Sequence, residues 1–344
     1  MSKKIGISYW GFCEKLENCN TANTPDGHRY GRPMMIDEML RRDCQVTSLQ
    51  KRREEVPYSG MIYDSEGLPD LDILFIEWRW PTWKNSGEHA FETDLKRQVE
   101  LLDYYHGKIP IIAWDTDLQI TAEDEKRWPE MILADPCLNP TQLTRARERL
   151  TFWTDYSEMF ETQEGSVAYG YIGNNYNRER QFRKYYGAGA LGLRNVGVQT
   201  MAYGNWMQHS PERAHPRLVV QEYPHLAFVD RVGFQASMNV LNRFICTTHI
   251  SKKNYAELGN VTVRYFETLA CNVPALVPAD FYAPEILGKE WKVSNPTEVF
   301  DRVFYLMKLN KKDRQDIVEE QRYNLKNYHD FHVASVVDFI ESVN

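Results

Sequence analysis

The sequence has no long apolar run, no paired cysteine motif and no excess of positive charge. None of its 344 residues belongs to a segment apolar enough to span a bilayer, and its N-terminus has no signal-peptide core. We therefore expect neither a membrane protein nor a secreted one. The six cysteines are scattered without a C-x-x-C pair, which predicts reduced thiols and no zinc site. The net charge of −7 argues against extensive contact with nucleic acid, but it is compatible with a local basic face.

The length of the chain exceeds that of a typical single domain and predicts two. Short apolar runs alternate with helical patterns in both halves, which indicates α/β domains with parallel sheets. The polar, acidic segment Asp155–Ser166 separates an N-terminal domain of residues 1–165 from a second domain of residues 166–328. There is no G-x-G-x-x-G motif after the first predicted strand, Lys4–Trp10, so a dinucleotide site has no support there.

The stretch Val261–Pro278 predicts an amphipathic helix, a turn through Asn272 and Pro274, and a buried strand. Arg264 and Glu267 are three residues apart and share one face of this helix. Such a pair suits a nucleotide, with the arginine on the diphosphate and the carboxylate on the ribose hydroxyls. The alternative is an ordinary surface ion pair.

The predicted strand Ile109–Trp114 delivers Asp115 and Asp117 to the carboxyl edge of the first sheet, where ligands bind in such folds. Partial burial there would raise the pKa of a carboxylate and suit a general base. The alternatives are an aspartate that stabilises the following turn and a D-x-D metal site, a motif common by chance. Thr121 with Asp124 predicts a capping box for the next helix.

In the second half, the predicted strand Val167–Ile172 leads into Gly173, Asn174 and then a helix that carries Arg178 and Arg180. The amides of a Gly/Asn turn and the arginines at a helix N-terminus predict a diphosphate cradle. A solvated basic helix face is the alternative. Further on, the turn at 230–233 includes Val232, whose backbone is placed to pair with a base.

A cluster of tryptophans and one arginine follows the predicted strand Leu71–Ile76. It predicts either a stacking wall for a base or sugar, or rings that cap the core. Its members are Trp78, Arg79, Trp80 and Trp83. Two basic groups that flank one strand are candidates for phosphate contacts or for a solvated loop surface: Arg41, Arg42, Lys51, Arg52 and Arg53. Pro33 predicts the first turn of a helix.

The segment E-T-L-A-C-N-V-P-A-L, at 267–276, resembles the donor-binding signature of glycosyltransferases with the GT-B fold. The block from Lys253 through Arg264 and Glu267 to Phe281, Lys108 to Asp115, and the Tyr171–Arg180 turn are similar to the T-even bacteriophage DNA β-glucosyltransferase family. That family moves glucose from UDP-glucose to 5-hydroxymethylcytosine in duplex DNA with inversion. The resemblance implies a GT-B fold of two Rossmann-like domains facing each other across a cleft, with the C-terminal helix at about 329–344 packed onto the first domain.

By this resemblance Asp115 would be the catalytic base, with Asp117 as runner-up. Gly173, Asn174, Arg178, Arg180 and Arg264 would bind the donor phosphates, Glu267 its ribose, and Val232 its uracil. No metal-ligand residues are implied, and in that family Mg²⁺ or Mn²⁺ assists product release without being required for the chemistry. The family further implies a monomer in the cytoplasm of a phage-infected bacterium. Retaining GT-B enzymes often carry a glutamate where this chain has Gly259, which favours inversion.

The chain departs from the family pattern mainly on the presumed acceptor side. The loop from Gly11 to Gly31 is longer, the Trp78–Trp83 segment is peculiar to this chain, and the net charge is acidic. Other sugars, such as arabinose, and other hydroxylated pyrimidines are therefore open alternatives. A second hypothesis is a GT-B transferase that acts on a polysaccharide or a small molecule. A third is a nucleotide-sugar sensor or DNA-binding module without enzymatic activity.

Overall fold

The computed structural model describes residues 2–8, 28–49, 60–78, 82, 92–139, 143–151, 160–161, 168–206, 222–232, 234–328 and 332–343, without the side chains of 28–33, 92–94 and 234–235. The chain divides into two compact units. Unit 1 comprises residues 1–155 and 330–344, and unit 2 comprises residues 156–329. Each unit is built around one parallel sheet, so the chain has two sheets of the nucleotide-binding type.

Unit 1 contains a seven-stranded sheet, in the order β3-β2-β1-β4-β5-β6-β7. Its strands are β1 (Lys4–Ser8), β2 (Gln45–Ser48), β3 (Ile62–Tyr63), β4 (Ile73–Glu77), β5 (Ile111–Trp114), β6 (Ile132–Asp135) and β7 (Glu148–Arg149). Helices α1 (His28–Arg41), α2 (Glu92–Tyr105) and α3 (Ala122–Arg127) connect them. The strand order reverses between β1 and β4, and in such sheets the crevice at this switch point binds ligands.

Unit 2 repeats the arrangement with six parallel strands, in the order β10-β9-β8-β11-β12-β13. Its strands are β8 (Ala168–Ile172), β9 (Gln199–Tyr203), β10 (Leu226–Val229), β11 (Phe244–Thr248), β12 (Ala275–Pro278) and β13 (Lys292–Val293). Its helices are α4 (Glu179–Phe182), α5 (Phe234–Leu241), α6 (Lys253–Leu258), α7 (Val263–Ala270), α8 (Pro296–Met307) and α9 (Lys311–Tyr328). The switch point of this sheet lies between β8 and β11.

The last helix, α10 (Val333–Ser342), belongs to unit 1 and packs on α1. Its apolar face, Val336, Val337 and Ile340, is buried. Arg42 donates to Asp338 at 2.6 Å and to Glu341 at 2.8 Å, and it also pairs with Glu38 of α1. Arg42 is thus engaged by three carboxylates of its own unit, so its predicted phosphate contact is unsupported.

Two local predictions were wrong for identifiable reasons. Pro33 was placed in the first turn of a helix, whereas α1 begins at His28 and Pro33 lies further inside it. Proline has no N–H, so α1 lacks one backbone hydrogen bond at this position. Strand β3 was not predicted, because two residues are too few to show an alternating pattern.

The described part of the chain contains four cysteines, all of them free and buried. Reduced thiols were expected for all six, but Cys13 and Cys19 lie outside the described residues. Among the helices that the structure describes, none combines the length and apolarity that crossing a bilayer requires.

Candidate functional site

Two glycine turns at the carboxyl ends of β8 and β9 lie directly against each other. Gly173 donates its N–H to the carbonyl of Tyr203, and Gly204 donates to the carbonyl of Val229, each at 3.0 Å. Both have a positive φ, +152° for Gly173 and +128° for Gly204. A Cβ on Gly204 would lie 2.3 Å from the carbonyl oxygen of Gly173. The two glycines therefore exclude side chains and let the two turns approach each other closely.

Asn174 organises this pair of turns. Its Oδ1 accepts a hydrogen bond from the backbone N–H of Asn205 at 2.9 Å, which ties the first turn to the second. The same oxygen accepts from Nε of Arg231 at 3.2 Å, and the carbonyl of Asn174 accepts from Arg178 at 2.9 Å. Asn174 therefore uses its oxygens to hold the turn and its arginines in place.

Three arginines surround the two turns. Arg178 is half-buried against Asn174, and Arg180 is exposed and pairs with Asp280 at 2.5 Å. Arg231 is exposed, and its Nη2 also donates to the hydroxyl of Tyr176 at 3.3 Å. This arrangement places positive charge beside the two glycine turns, which suits an anion.

Arg231 was not among the predicted site residues. From the sequence, the turn at 230–233 was a candidate only for the backbone of Val232, which follows β10 and is partly buried. A basic residue at the carboxyl end of a predicted parallel strand was the available signal, because such ends share one edge of the sheet. Helix α4 has only four residues and continues as a π-helical segment, Arg183–Ala188. Arg178 is the N-cap residue of α4 and Arg180 lies within it, so both arginines are at a helix N-terminus as predicted, and their contact with a diphosphate stays a prediction.

A polar network joins the loops after β8, β11 and β12. Asp280 accepts hydrogen bonds from Arg180 and, at 2.8 Å, from Nε2 of Gln181. Oε1 of Gln181 accepts from the backbone N–H of Ser251 at 2.6 Å. Three loops at the same sheet edge are therefore fixed relative to one another, as a preorganised binding edge requires.

Arg264 and Glu267 form an ion pair of 2.6 Å on α7. The side chain of Glu267 is 1% exposed and that of Arg264 is 17% exposed. The pair is therefore not the ordinary surface ion pair that the sequence left open as an alternative. Removing two charges from water is costly, and natural proteins tend to keep such pairs where they serve specificity or binding. The pair follows β11 in the chain and precedes β12, two neighbours at the centre of the sheet.

Asp115 lies at the carboxyl end of β5, where the sequence predicted it, and has no exposed surface. Its carboxylate accepts from the backbone N–H groups of Gln119 and Ile120, each at 2.8 Å, and pairs with Arg147 at 3.0 Å. Burial raises the pKa of Asp115, while Arg147 and the two amides oppose the shift. The side chain thus has the raised pKa expected of a base and also the contacts of a turn-stabilising aspartate.

Asp117 differs from Asp115 in its exposure. It is half-buried, and its backbone carbonyl accepts from Nε2 of Gln119 at 2.8 Å. Leu118, next in the chain, has φ of +57°, so the turn reverses sharply between the two aspartates and Gln119. The predicted capping box is confirmed: Thr121 and Asp124 exchange hydrogen bonds at the start of α3. Among the described residues no three acidic, histidine or cysteine side chains form a metal-binding group.

The predicted stacking wall is corrected at Trp78. Its ring has no exposed surface and packs edge-on against Trp128, with 6.0 Å between ring centroids. It is a core residue that directly follows the fully buried strand β4 and belongs to the apolar cluster of unit 1. Arg79, Trp80 and Trp83 lie outside the described residues, as do Lys51, Arg52 and Arg53.

Glu77 is a candidate that sequence reasoning missed. It ends β4, is 2% exposed, and lies beside Trp114 in the register of β4 with β5. An acidic residue that ends a buried strand at the switch point was the available signal, but the following tryptophans drew the interpretation instead.

Comparison with known proteins supports the fold. A family model described as Glycosyl transferase-like matches residues 190–335. The structure of T4 phage β-glucosyltransferase with UDP-glucose is 14% identical, with a TM-score of 0.63 over 98% of this chain and 99% of that chain. The same T4 enzyme has also been solved with UDP and Mn²⁺.

Two other solved structures are similar. An α-glucosyltransferase bound to UDP-glucose and to DNA with an abasic site is 14% identical, with a TM-score of 0.64 over 99% of this chain and 100% of that chain. WaaG, a glycosyltransferase of lipopolysaccharide biosynthesis, is 12% identical, with a TM-score of 0.55 over 98% and 99% of the two chains. No curated protein matches the sequence. The chain therefore has the predicted GT-B fold, with two parallel-sheet units.

Proposed function

We propose that this chain, with its GT-B fold, is an inverting glycosyltransferase that moves a sugar from a UDP-sugar to a hydroxymethylated pyrimidine in DNA. The observation that carries the proposal is the edge of unit 2, where two glycine turns and three arginines converge. The sugar is glucose or a related sugar such as arabinose, and the base is 5-hydroxymethylcytosine or a similar pyrimidine.

The donor half of the proposal rests on charge and shape. The guanidinium groups of Arg178, Arg180 and Arg231 suit the diphosphate, and Gly173 and Gly204 keep side chains out of the two turns beside them. Arg264 adds positive charge, Glu267 takes the ribose hydroxyls, and the backbone of Val232 takes the uracil. Similar structures were solved with UDP-glucose, which supports the same class of donor here.

The chemical step needs one base and a stabilised leaving group. Asp115 takes the proton of the acceptor hydroxyl as its oxygen attacks the anomeric carbon, and the bond from that carbon to the diphosphate oxygen breaks. The arginines stabilise the charge that grows on the departing UDP. Because Asp115 has no exposed surface, it can meet an acceptor only after part of its cover moves, whereas Asp117 is accessible already.

The acceptor half rests on the similar α-glucosyltransferase solved with DNA. A base in duplex DNA would have to be flipped out of the stack, at a cost of a few kcal/mol. On this proposal the protein acts as a monomer in the cytoplasm of a phage-infected bacterium. Mg²⁺ or Mn²⁺ would act on product release, in line with the related structure with UDP and Mn²⁺.

Protection against heat tests the donor site first. UDP and UDP-glucose should raise the unfolding midpoint of the wild-type chain, because a ligand that binds only the folded state stabilises it. Arg231→Met should reduce this shift, whereas Arg194→Met, on the 3₁₀ helix at Leu193–Val196, should leave it unchanged. No shift with any uridine or other nucleotide would contradict the proposal.

Nucleoside mass spectrometry then identifies the reaction. Plasmid DNA containing 5-hydroxymethylcytosine is incubated with a panel of UDP-sugars, digested and compared with unmodified plasmid. We expect a nucleoside heavier by one sugar residue, only with the modified plasmid and only with a matching donor. Sugar transfer to unmodified DNA would contradict the proposed acceptor, a hydroxymethylated pyrimidine. So would the absence of transfer with every donor in a protein that binds UDP.

The net charge of −7 favours one second candidate, a GT-B transferase acting on a polysaccharide or small molecule. The similarity to WaaG supports the same alternative. It predicts UDP-sugar binding without transfer to DNA. The donor site would be the same in both cases, so the plasmid experiment separates them.

A further inference from the structure

The loop after β11 carries a histidine whose ring is buried and has no hydrogen-bond partner among the described residues. His249 is 3% exposed, and neither ring nitrogen has a partner within the part of the chain that the structure describes. Its backbone N–H donates to Leu276 of β12 at 2.9 Å, which fixes the main chain at the end of the strand. A buried polar group left unpaired is costly, so such a group needs an explanation.

The position of His249 supplies one. It directly follows β11, and Gly173 directly follows β8, the neighbouring strand in the sheet. The order of the sheet reverses between these two strands, and ligands of such sheets bind in the crevice at their carboxyl ends. His249 therefore belongs to the same switch point as the glycine turn of the proposed donor site.

The neighbours of His249 hold the ring in place and keep it neutral. It stacks on Tyr265 of α7, with 4.2 Å between ring centroids and 26° between the planes. The hydroxyl of Tyr265 is itself buried without a partner among the described residues. Burial, with the positive charge of Arg264, lowers the pKa of His249 to about 3. A neutral imidazole has one N–H donor and one nitrogen acceptor.

We propose that His249 is a donor-binding residue, one ring nitrogen of which hydrogen-bonds a hydroxyl group of the nucleotide-sugar. A hydroxyl can donate to the unprotonated nitrogen or accept from the ring N–H, so it can pair with either nitrogen of a neutral imidazole, whereas a phosphate can pair only with the N–H. The hydroxyl belongs either to the ribose or to the transferred sugar, and both have this chemistry. The inference rests on the proposed UDP-sugar site and adds a residue that sets its specificity for hydroxyl groups.

The test combines stability and binding in the variant His249→Phe. Phenylalanine keeps an aromatic ring against Tyr265 and removes both nitrogens. If the nitrogens are unpaired in the free protein, their loss should leave the unfolding midpoint unchanged or raise it. Affinity for UDP-glucose, measured by calorimetry, should fall about ten-fold, since a specific site rejects the loss of a polar partner.

A matched control is Tyr186→Phe in the same core. The hydroxyl of Tyr186 accepts from the backbone N–H of Thr248 at 2.7 Å, so its removal leaves a buried donor unpaired. We expect this variant to lower the midpoint while its UDP-glucose affinity stays unchanged. The two variants should therefore move the two measurements in opposite ways.

The binding arms locate the hydroxyl. A loss of affinity for UDP-glucose alone assigns it to the sugar, and an equal loss for UDP assigns it to the ribose. A lower midpoint with unchanged affinity in His249→Phe would overturn the inference, because it indicates a structural partner such as a buried water. If the wild-type chain binds neither ligand, the proposed function fails together with the inference; if it binds both and His249→Phe binds equally well, only the inference fails.

Discussion

Asp115 is held by more hydrogen bonds than a freely acting base needs. Two amide N–H groups and Arg147 fill most of its acceptor positions, and Arg147 also pairs with Asp135 at 3.1 Å. Ion pairs and amide contacts of this kind keep a carboxylate in one orientation, which favours reaction once an acceptor arrives. They also mean that a substitution at Asp115 changes the turn as well as the chemistry.

Asp115→Asn and Asp117→Asn separate these roles. We expect Asp115→Asn to lower turnover by about 10²–10⁴-fold, the usual contribution of a general base. It should also destabilise unit 1 by about 1–3 kcal/mol, because an amide group would face Gln119 or Ile120 N–H. Steady-state turnover and thermal unfolding measure the two effects.

The matched variant, Asp117→Asn, should keep both turnover and stability near those of the wild type. The pH profile gives a further check, since burial raises the pKa of Asp115. Activity should therefore fall on the acidic side at a pH above the ordinary aspartate value of about 3.8. Loss of turnover in Asp117→Asn alone would assign the base to Asp117.

Glu125 on α3 provides a pH-dependent contribution to stability. Burial pushes its pKa up, but hydrogen bonds from Thr144 and Arg145 outweigh this, and the net pKa is lowered. A carboxyl with a lowered folded pKa stabilises the protein above its unfolded pKa of about 4.5, and this is lost as the pH falls through the folded value.

Glu125→Gln should therefore destabilise the protein at neutral pH by about 1–3 kcal/mol. The difference from the wild type should shrink in acid, and thermal midpoints across the range measure it. Glu123→Gln is the control, because Glu123 lies on the same helix and is exposed. An effect of Glu125→Gln that stays constant with pH would contradict this account.

At the scale of elements, two glycine variants distinguish the effect of backbone strain from the effect of a steric clash. Gly204→Ala should abolish protection by UDP, because its Cβ would meet the carbonyl of Gly173 and push the turns apart. Gly197 also has a positive φ, +81°, but a Cβ there meets nothing within 4 Å. Gly197→Ala should therefore cost about 1–2 kcal/mol of stability and leave protection by UDP intact. Thermal shifts with and without UDP measure both, and equal loss in the two variants would contradict the steric argument.

The attachment of α10 is the second prediction at this scale. Arg42→Met should increase hydrogen exchange of the α10 amides, because it removes pairs to Asp338 and Glu341. The expected loss is about 1–2 kcal/mol, since the side chain is partly exposed and its pairs are screened. Arg41→Met is the control: Arg41 is mostly exposed and pairs with Glu38. Equal exchange in both variants would show that apolar packing alone holds α10.

Elements with a strong pattern were predictable from the sequence. The predicted strand Ile109–Trp114 ends at the same residue as β5, Ile111–Trp114. The predicted strand Val167–Ile172 likewise ends at the same residue as β8, Ala168–Ile172. The start of α1 had no comparable sequence signal, and the preference of proline for a first helical turn led to a predicted start near Pro33 instead of His28. Local preferences of this kind can be overridden by packing.

Site geometry was less accessible to sequence reasoning because it depends on long-range approach. Nothing local brings Arg231 onto Asn174, which lies 57 positions earlier. The burial of individual side chains was equally difficult to predict. Trp78 and Asp115 were expected at the edge of a ligand site, yet neither has exposed surface. The roles of Asp115, Arg264 and Glu267 stay predictions, and Asp115→Asn tests the first of them.

For the whole molecule, the net charge of −7 means that duplex DNA would have to bind at a local basic face. If the acceptor is duplex DNA, basic side chains must displace the counterions condensed on the DNA phosphates, so affinity should fall steeply as salt rises. Filter binding of a hydroxymethylated duplex between about 50 and 200 mM salt measures the slope. Transfer to a small molecule, the second candidate, predicts weak DNA binding with little dependence on salt.

The division of the chain also determines the order in which it can mature during translation. Residues 156–329 make a continuous unit, so unit 2 can fold as soon as it leaves the ribosome. Unit 1 has to wait for α10, because α10 follows unit 2 in the chain. A stop codon just before Val333 would thus leave the earlier-synthesised half incomplete and spare the later one, and a proteolysis time course on stalled nascent chains would reveal that reversed order.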